Sequence, residues 1–424
     1  MLTETYGEFS SHLHQWLSGK RTPSEVSIEV TRRCPLECQH CYNNLPMGDQ
    51  AARTSEMTLE EHIRLLDELV QAGTFWLVYT GGEIFARKDF LQIYTEAKKR
   101  GFLITLFTNG TLISERIADY LAEWPPFSIE ITLYGATRET YEALTRIPGS
   151  YDRCMKGVRL LIERNLPLRL KTVPTTINRH EVYEMKRMAE QDFGVDFKFD
   201  ALLNPRIDCS QAPMAVRLSP EQVVTLDFED PKRHSEWRRI SAIEASRPRP
   251  EKQVTQRYTC GGGMNGCAID PTGKMTICVI SHQQGYSIRE GGFLKGWNGP
   301  MLEIRKQERK RPTICDNCGI KSLCSMCAAN GELESGDPES PVDFLCQVAH
   351  LRAYALGLNP PEHGDCRCCE GGSQHDDLKR SAERIQNMDF AVEKQTAPMP
   401  SALNILQAPP SCQSGGCSSC GAHR

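Results

Sequence analysis

The sequence predicts an α/β protein in which a partial, open barrel of six β/α units precedes a small cysteine-rich domain. Six short, β-rich apolar runs alternate with helical patterns between residues 25 and 199, and strands separated by helices pair in parallel. Six units are fewer than the eight that close a barrel. Eight cysteines between Cys260 and Cys346 predict the second domain, because they are enough for two four-thiolate metal sites.

The predicted strands are short runs of apolar, often β-branched or aromatic residues. In chain order they cover residues 25–30, 75–79, 102–107, 127–133, 168–173 and 195–199. Polar, often glycine-containing segments follow the first four runs directly. Because functional groups gather at the loops after the strands of such a sheet, we expect the functional site there.

Five helices are predicted between the strands. The clearest begins at Thr58, which forms a capping box with Glu61, and it ends at Gly73. Its apolar residues fall on one face, namely Leu59, Ile63, Leu66 and Val70. The other four helices cover residues 88–100, 114–123, 152–164 and 179–191.

Changes in composition predict the domain boundaries. The predicted parts are an irregular or short helical lead-in (1–24), a core domain (25–225), a linker with the cysteine-rich domain (226–359) and a cysteine-rich tail (360–424). Prolines and mixed charges between residues 201 and 250 indicate the linker, with one helix from Pro220. The tail is polar and increasingly rich in Pro, Gly and Ser, so we expect it to be flexible apart from a helix over residues 376–387.

The composition is that of an ordinary globular protein, with 39% apolar and 25% charged residues. No apolar run is long enough to span a membrane, and the first residues lack the basic start and apolar middle of a signal peptide. A formal net charge of −4 gives no pull toward nucleic acid or anionic membranes. We therefore expect a cytoplasmic protein with no nucleic-acid or membrane partner.

The chain has 19 cysteines. In a reducing cytoplasm this number indicates metal binding or redox chemistry rather than a disulfide framework. Three lie in the first loop, eight between Cys260 and Cys346, and six from Cys366 onward. Cys154 and Cys209 stand alone and are expected to be small buried apolar side chains.

The loop after the first strand carries Cys34, Cys38 and Cys41 at C-x3-C-x2-C spacing. Three thiolates on one tight loop can hold three corners of a cubic iron–sulfur cluster, and no fourth cysteine is near in sequence to bind the last iron. The open iron is then a place for a small molecule to chelate. A zinc knuckle or unrelated thiols are the alternative, and zinc would require a fourth ligand nearby.

The loop after the second strand carries Gly81-Gly82-Glu83. Two glycines allow backbone groups to approach a ligand closely, and the carboxylate can bind an ammonium group. Taken alone, the motif is more typical of a tight turn than of a binding site. Its position one unit after the cysteine loop favours a binding site.

Together the two loops resemble the radical S-adenosylmethionine (radical SAM) superfamily, whose cysteine motif has an aromatic residue before the last cysteine, here His40. The resemblance implies a partial (β/α)6 barrel with a 4Fe-4S cluster on the three loop cysteines and S-adenosyl-L-methionine bound at the open iron. It also implies that Gly81, Gly82 and Glu83 bind the amino group of the methionine part of that cofactor. Ile84 departs from the proline that usually follows this motif.

The resemblance extends to polar residues after later strands. Thr132 resembles a small hydroxyl residue that contacts the cofactor, and Arg146 resembles an arginine that reaches the cofactor's carboxylate, for which its bidentate guanidinium is suited. A strand threonine and a solvated arginine are the alternatives. Asn109 and Asn178 are weaker candidates for cofactor contact.

The second cysteine set resembles the SPASM domain, the auxiliary-cluster module of radical SAM enzymes that modify peptides and proteins. Its spacing is Cys260-x6-Cys267-x10-Cys278, then Cys315-x2-Cys318-x5-Cys324-x2-Cys327, then Cys346. The resemblance implies one auxiliary 4Fe-4S cluster on Cys260, Cys267, Cys278 and Cys327, and another on Cys315, Cys318, Cys324 and Cys346. The chain has two residues between Cys324 and Cys327 where the family usually has three.

A structural zinc site is the alternative for the central run, whose C-x2-C pairs suit zinc. It would use Cys315, Cys318, Cys324 and Cys327, and would leave the other four cysteines of the set without a role. Gly273 is expected to turn a small hairpin before Cys278.

The tail carries six further cysteines, which neither resemblance covers. They are Cys366, Cys368, Cys369, Cys412, Cys417 and Cys420. The glycine- and serine-rich setting of the last three suits a swinging redox arm, an additional metal site, a mimic of a cysteine-rich substrate, or a tail without a role of its own.

The resemblance spans roughly residues 25–350 and implies a radical SAM/SPASM enzyme. Such an enzyme cleaves S-adenosyl-L-methionine reductively, and the 5′-deoxyadenosyl radical takes a hydrogen atom from a substrate carbon. The auxiliary clusters would accept an electron from the substrate radical or bind a substrate thiolate. A reductant such as ferredoxin or flavodoxin is implied as a partner. No catalytic acid or base is identified.

Because SPASM enzymes mostly act on ribosomally made peptides, the predicted function is a peptide maturase that forms a thioether or carbon–carbon crosslink, with cysteine-rich peptides among the candidate substrates. Tetrapyrrole side-chain processing in haem synthesis and sulfatase maturation are alternatives. Val279 argues against the latter, because an aspartate would be expected after Cys278. A non-enzymatic iron–sulfur scaffold or electron carrier is the remaining alternative, and Gly81-Gly82-Glu83 argues against it.

Overall fold

The structure, a computed structural model, describes residues 5–246, 255–281, 284–388 and 390. The chain divides into two compact units. The sheet unit comprises Arg21–Arg217 and Gly261–Lys306. The helical unit comprises the described parts of Met1–Lys20, Leu218–Cys260 and Gln307–Arg424.

Strands and helices alternate through the first half of the chain. The strands are β1 Glu25–Thr31, β2 Arg33–Cys34, β3 Leu45–Pro46, β4 Trp76–Gly81, β5 Leu103–Thr108, β6 Ser128–Thr132, β7 Leu168–Thr172, β8 Asp196–Phe199, β9 Gly266–Ile269, β10 Lys274–Thr276 and β11 Tyr286–Ser287. The α-helices are α1 Tyr6–Leu17, α2 Gln50–Ser55, α3 Leu59–Ala72, α4 Phe90–Lys99, α5 Glu115–Glu123, α6 Arg138–Thr145, α7 Ser150–Glu163, α8 Val182–Arg187, α9 Pro220–Glu229, α10 Pro231–Ser246, α11 Gly292–Gly296, α12 Leu302–Lys306, α13 Ala328–Ser335, α14 Asp343–Ala355 and α15 His375–Gln386.

One large sheet has the strand order β11-β10-β9-β1-β4-β5-β6-β7-β8. From β1 through β4 to β8 every neighbouring pair is parallel. These six strands are the predicted ones, and α3, α4, α5, α7 and α8 lie within or close to the predicted helical ranges. The predicted α/β fold with a central parallel sheet is confirmed.

A hairpin extends this sheet beyond β1. β9 pairs in parallel with β1, from Glu25 opposite Gly266 to Ile28 opposite Ile269, and β10 returns antiparallel. Gly273, with φ 86°, lies in the predicted turn between them. The structure thus places residues 261–306 in the sheet unit, whereas composition grouped them with the cysteine-rich domain. The physical reason is that β1 without β9 would expose a row of unpaired backbone groups.

The helical unit is built around α14, which packs against α9 and α15. Arg352 of α14 donates to the buried Asp227 of α9 at 2.6 Å, and Arg233 donates to the other oxygen of Asp227 at 2.7 Å. A small apolar cluster lies beside this ion pair and contains Ile320, Leu323, Ala349 and Ala353, with Trp237 and Ile240 packed against it.

Two helices, α9 and α10, occupy the segment predicted to be a linker with one helix. Pro220 begins α9 directly after its cap Ser219, and Pro231 begins α10. Proline suits the first position of a helix, because its missing N–H would have no partner there. The helix predicted from Pro220 is therefore present, and Pro231, which indicates a linker in the sequence, starts a second helix in the structure.

Residues 360–388 differ from the predicted flexible tail, because they pack into the helical unit. The predicted helix is present as α15, which contacts α14 and α9. Its buried residues Leu378, Ala382 and Ile385 recur at helical spacing along one face. Cys412, Cys417 and Cys420 lie outside the described residues.

The lead-in contains α1, which begins with a capping box between Thr5 and Glu8. None of the helices described here is long and apolar enough to cross a membrane.

The two isolated cysteines differ in burial. Cys154 is buried as predicted, whereas Cys209 is half-buried and has a positive φ of 66°.

Candidate functional site

The candidate site lies where the loops after β1, β4, β5 and β6 meet. Cys34 and Cys38 are buried and Cys41 is half-buried. Burial raises the pKa of Cys34 to about 12, and burial together with neighbouring thiolates raises the pKa of Cys38. Such thiols ionise only when a cation joins them, and bound iron is a cation of that kind.

The end of α6 holds the cysteine loop in place. The backbone N–H groups of Glu37 and Gln39 donate to the carbonyls of Thr145 and Leu144 at 3.0 and 3.1 Å. Arg146 follows with φ 59° and donates from Nη2 to Gln39 Oε1 at 3.0 Å. The exposed Arg146 side chain therefore contacts the cysteine loop.

Gly81 and Gly82 bring the end of β4 against the start of the cysteine loop. The N–H of Gly82 donates to Thr31 O at 2.8 Å, and the N–H of Glu83 donates to Arg33 O at 3.0 Å. A Cβ would lie 2.1 Å from Thr31 O at Gly81 and 2.4 Å from Arg32 O at Gly82. Glycine is required at both positions by this close backbone approach.

Glu83 is buried beneath these glycines and accepts hydrogen bonds from β5 and the loop after it. Thr108 Oγ1 donates to its two oxygens at 2.7 and 2.9 Å, and the N–H of Asn109 donates at 2.8 Å. Burial nevertheless raises the pKa of Glu83 to about 7. An ammonium group beside this carboxylate would stabilise its charged form.

Asn109 connects Glu83 with the cysteines. Its Nδ2 donates to Cys34 Sγ at 3.4 Å, while its Oδ1 accepts from the N–H and hydroxyl of Thr111 at 2.9 and 2.6 Å. The side chain of Asn109 is therefore held in one orientation, with its amide directed at the first predicted cluster ligand.

His40 is buried within the cysteine loop, with its ring 5.3 Å from that of Tyr134. Burial lowers the pKa of His40 to about 4, so the ring is neutral at physiological pH. Its Nδ1 has no hydrogen-bond partner among the described residues. A buried ring nitrogen of this kind fits a site that receives a polar ligand.

Thr132 and Asn178 take different positions around the loop after β6. Thr132 ends β6, in register with Lys171 of β7. Asn178 is fully buried, donates to Tyr134 O at 3.1 Å, and accepts from the N–H of Thr175 at 2.7 Å. Asn178 therefore fixes the conformation of the chain that supports Tyr134.

A charged cluster around the buried Glu130 is absent from the sequence-based site. Glu130 of β6 accepts from Lys171 Nζ at 3.0 Å and from Lys198 Nζ at 2.8 Å, and it shares a strand face with Thr132. Burial lowers the pKa of Lys171 to about 8, and its Nζ lies 3.1 Å from the centre of the Phe107 ring. Charged residues at alternate positions of otherwise apolar strands are the signal that would have predicted this cluster.

The predicted auxiliary ligands are distributed over both units. Cys267 and Cys278 belong to the sheet unit, and Cys260 and Cys327 belong to the helical unit. The other predicted set, Cys315, Cys318, Cys324 and Cys346, lies entirely in the helical unit. Cys318 and Cys324 pack against the apolar cluster there, and burial, with a smaller contribution from the nearby Cys315, raises the pKa of both thiols.

A second concentration of potential metal ligands surrounds His350 in the helical unit. In the described part of the chain, two groups have ligand atoms within 4.8 Å of one another: Cys346, His350, Cys366 and Cys368, and His350, His363, Cys366 and Cys369. Within that part of the chain, neither the four cysteines of the zinc alternative, nor the three loop cysteines, nor either predicted auxiliary set forms such a group. The tail cysteines Cys366, Cys368 and Cys369 are all buried.

Comparison of the sequence with known proteins identifies one family model and several related proteins. Residues 28–189 match the family model of the radical SAM superfamily. An AdoMet-dependent heme synthase of Methanosarcina barkeri is 24% identical over 336 residues, which cover 74% of this chain and 94% of that protein. A PqqA peptide cyclase of Granulibacter bethesdensis is 25% identical over 373 residues, which cover 80% of this chain and 93% of that protein.

The fold is also similar to that of Streptococcus suis SuiB bound to its precursor peptide SuiA. The TM-score is 0.56 at 16% identity, and the match covers 77% of this chain and 76% of that one. At this identity the likeness concerns the fold.

Proposed function

We propose that this chain, which contains a domain of the radical SAM superfamily over residues 28–189, is a peptide maturase that uses S-adenosyl-L-methionine to modify a ribosomally made peptide oxidatively. The product is expected to be a thioether or a carbon–carbon crosslink. The observation that carries the proposal is the link from Cys34 through Asn109 to Glu83, with separations of 3.4 and 2.8 Å.

The residues of the site fit the two groups that this family uses. Cys34, Cys38 and Cys41 would hold a 4Fe-4S cluster, because three thiols on one loop, two of them buried and one half-buried, leave one iron open. Glu83 would bind the amino group of S-adenosyl-L-methionine, since the described hydrogen-bond donors to its buried carboxylate, Phe85, Thr108 and Asn109, are all uncharged. The partnerless Nδ1 of His40 is a further place for a polar group.

When bound and reduced, these groups supply a 5′-deoxyadenosyl radical that removes a hydrogen atom from a substrate carbon. The chain's own residues position the reaction. Gly81 and Gly82 bring Glu83 against the cysteine loop, Asn109 donates to Cys34, and Thr132, at the end of β6, would contact the cofactor. Arg146 would bind the cofactor's carboxylate in place of its present hydrogen bond to the side-chain oxygen of Gln39.

The remaining parts of the reaction follow the family pattern. The two predicted cysteine sets would hold auxiliary 4Fe-4S clusters, which would supply an electron acceptor for the oxidation or a binding site for a substrate thiolate. A ferredoxin or flavodoxin would deliver the electron to the first cluster. Both assignments extend the radical SAM/SPASM resemblance to this chain.

The match to a PqqA peptide cyclase over 93% of its length supports a peptide substrate. The match to a heme synthase over 94% of its length favours a second candidate, the processing of a tetrapyrrole side chain. One assay separates the two. Reconstituted full-length protein is incubated anaerobically with S-adenosyl-L-methionine, a reductant, and either a tetrapyrrole or the peptide encoded by a short open reading frame beside the gene.

The proposal predicts 5′-deoxyadenosine together with a peptide product that has lost two hydrogen atoms, detected by mass spectrometry. Modification of the tetrapyrrole instead would establish the second candidate. Failure to cleave the cofactor under any condition, with clusters shown to be present, would leave only an iron–sulfur scaffold or electron carrier.

A further inference from the structure

The geometry points to a mononuclear zinc site formed by His350, His363, Cys366 and Cys369, separate from the three proposed iron–sulfur clusters. His350 lies on α14, and the other three residues lie in the segment between α14 and α15. The site is independent of the proposed reaction. It assigns a role to three residues of the segment that the family resemblance leaves uncovered.

The distances between the ligand atoms fit a single tetrahedral ion. His350 Nε2 lies 3.7 Å from Cys366 Sγ and 3.4 Å from Cys369 Sγ, and His363 Nδ1 lies 3.3 Å from Cys369 Sγ. Zinc bonds of about 2.3 Å to sulfur and about 2.0–2.1 Å to nitrogen place neighbouring ligands roughly 3.3–3.8 Å apart. All four ligand atoms lie within 4.8 Å of one another.

Both histidine rings are restrained by neighbouring backbone carbonyls. His350 Nδ1 lies 2.9 Å from the carbonyl oxygen of Cys346, so its N–H donates there and the Nε2 lone pair faces the two thiols. Zinc-binding histidines commonly have this outer hydrogen bond. His363 Nδ1 is 3.1 Å from the carbonyl oxygen of Pro361, and metal binding at Nδ1 would replace that hydrogen bond.

Burial and charge favour this ligand set over the other group around His350. The four side chains are buried, with relative exposures of 1% for His350, 5% for His363 and Cys366, and 2% for Cys369. Two thiolates and two neutral imidazoles cancel the charge of Zn²⁺, whereas a buried net charge is costly. The group with Cys346 and Cys368 contains three thiols and would leave a net negative charge.

Of the remaining two thiols, Cys368 Sγ donates to Gln374 Oε1 at 3.2 Å. Cys346 Sγ, of the predicted second auxiliary set, lies 3.8 Å from Cys366 Sγ and 3.6 Å from His350 Nδ1, so the proposed zinc site adjoins that set. Because four protein ligands leave no open position, the ion would have a structural role. It would attach the segment before α15 to α14.

Metal analysis of the full-length protein tests this inference. After anaerobic purification, cluster reconstitution and desalting, we expect about one zinc per chain. The double variant Cys366→Ala/Cys369→Ala should lose the zinc and keep the wild-type iron content, whereas Cys368→Ala should keep both. Zinc that persists in the double variant would overturn the assignment, as would a loss of iron from it, which would make these cysteines cluster ligands.

X-ray absorption at the zinc edge of the wild-type protein gives a readout that does not depend on how a variant folds. The expected spectrum contains two sulfur and two nitrogen neighbours at the distances given above. A shell of four sulfurs would move the ion to a four-cysteine site and overturn the inference, as would wild-type protein without zinc after growth and reconstitution with zinc supplied.

Discussion

The side-chain amide of Asn109 lies 3.4 Å from Cys34 Sγ, which ties the loop after β5 to the first of the three loop cysteines. The N–H of the same residue donates to Glu83. One residue therefore aligns a proposed cluster ligand with the proposed amino-group ligand. Their relative position is set by the sheet, since β1, β4 and β5 are adjacent parallel strands.

Replacing Cys34, Cys38 and Cys41 together by alanine should abolish formation of 5′-deoxyadenosine in the reduced protein. The wild-type protein should contain about twelve iron atoms if each cluster is a four-iron cube, and the variant about eight, because only the first cluster is lost. Cys209→Ala, which removes a thiol outside all proposed ligand sets, is the matched control. Cofactor cleavage at the wild-type rate in the triple variant would refute the site.

Glu83→Gln should weaken binding of S-adenosyl-L-methionine by about 1.5–3 kcal/mol, the usual value of a hydrogen bond to a charged group. The substitution keeps the shape of the side chain and removes its charge. Equilibrium binding to the reconstituted protein measures the effect, and the exposed Glu60→Gln on α3 is the control. Equal affinity in wild type and Glu83→Gln would exclude Glu83 as the ligand of the amino group.

The buried His62 on α3 should make the protein less stable as the pH falls. Burial lowers the pKa of His62 to about 3, below its unfolded value of 6.5, so the unfolded chain binds more protons between these values. Stability is therefore lost as the pH decreases below 6.5, by at most about 1.4 kcal/mol for each pH unit.

Denaturant midpoints between pH 6.5 and 5 measure this slope. His62→Gln should reduce it, and the control His180→Gln, at a side chain that is 67% exposed, should leave it unchanged. A slope that is the same in all three proteins would show that His62 is not the responsible group.

Asp227→Asn should destabilise the helical unit by about 3–5 kcal/mol, because it leaves the buried Arg352 without its anionic partner. Arg233→Met should cost less, since Arg352 still neutralises Asp227. Chemical unfolding followed by circular dichroism measures both. The opposite ranking would mean that Arg233 is the partner that matters for stability.

A chain that ends after residue 390 should retain the iron content of the full-length protein, because it keeps every described contact of α15. A chain that ends after Asn359 should lose stability, since it removes the buried Leu378, Ala382 and Ile385. Limited proteolysis and metal analysis of both forms check this expectation. Equal protease resistance of the two forms would show that α15 adds nothing to the helical unit.

Local patterns predicted much of this fold and of its site. The six strands, the capping box at Thr58 and the turn at Gly273 depend on residues that are neighbours in sequence. The cysteine motif and Gly81-Gly82-Glu83 are also local patterns. Their closeness in space was predictable because parallel β/α units bring successive loops to one edge of the sheet. The sequence did not predict the pairing partner of Glu130, because its lysines lie on two later strands.

The sequence by itself determined the α/β architecture, the loop positions of the candidate site and the residue types that can bind metal. Only the tertiary structure decided that β9 pairs with β1, that Pro231 starts a second helix, and that His350 meets Cys366 and Cys369. Periodicity, caps and motif spacing act over a few residues, so sequence reports them directly. Distant segments pair where one of them supplies hydrogen bonds to an exposed strand edge or to a buried polar group of the other. Which segments meet in this way is known only from the folded structure.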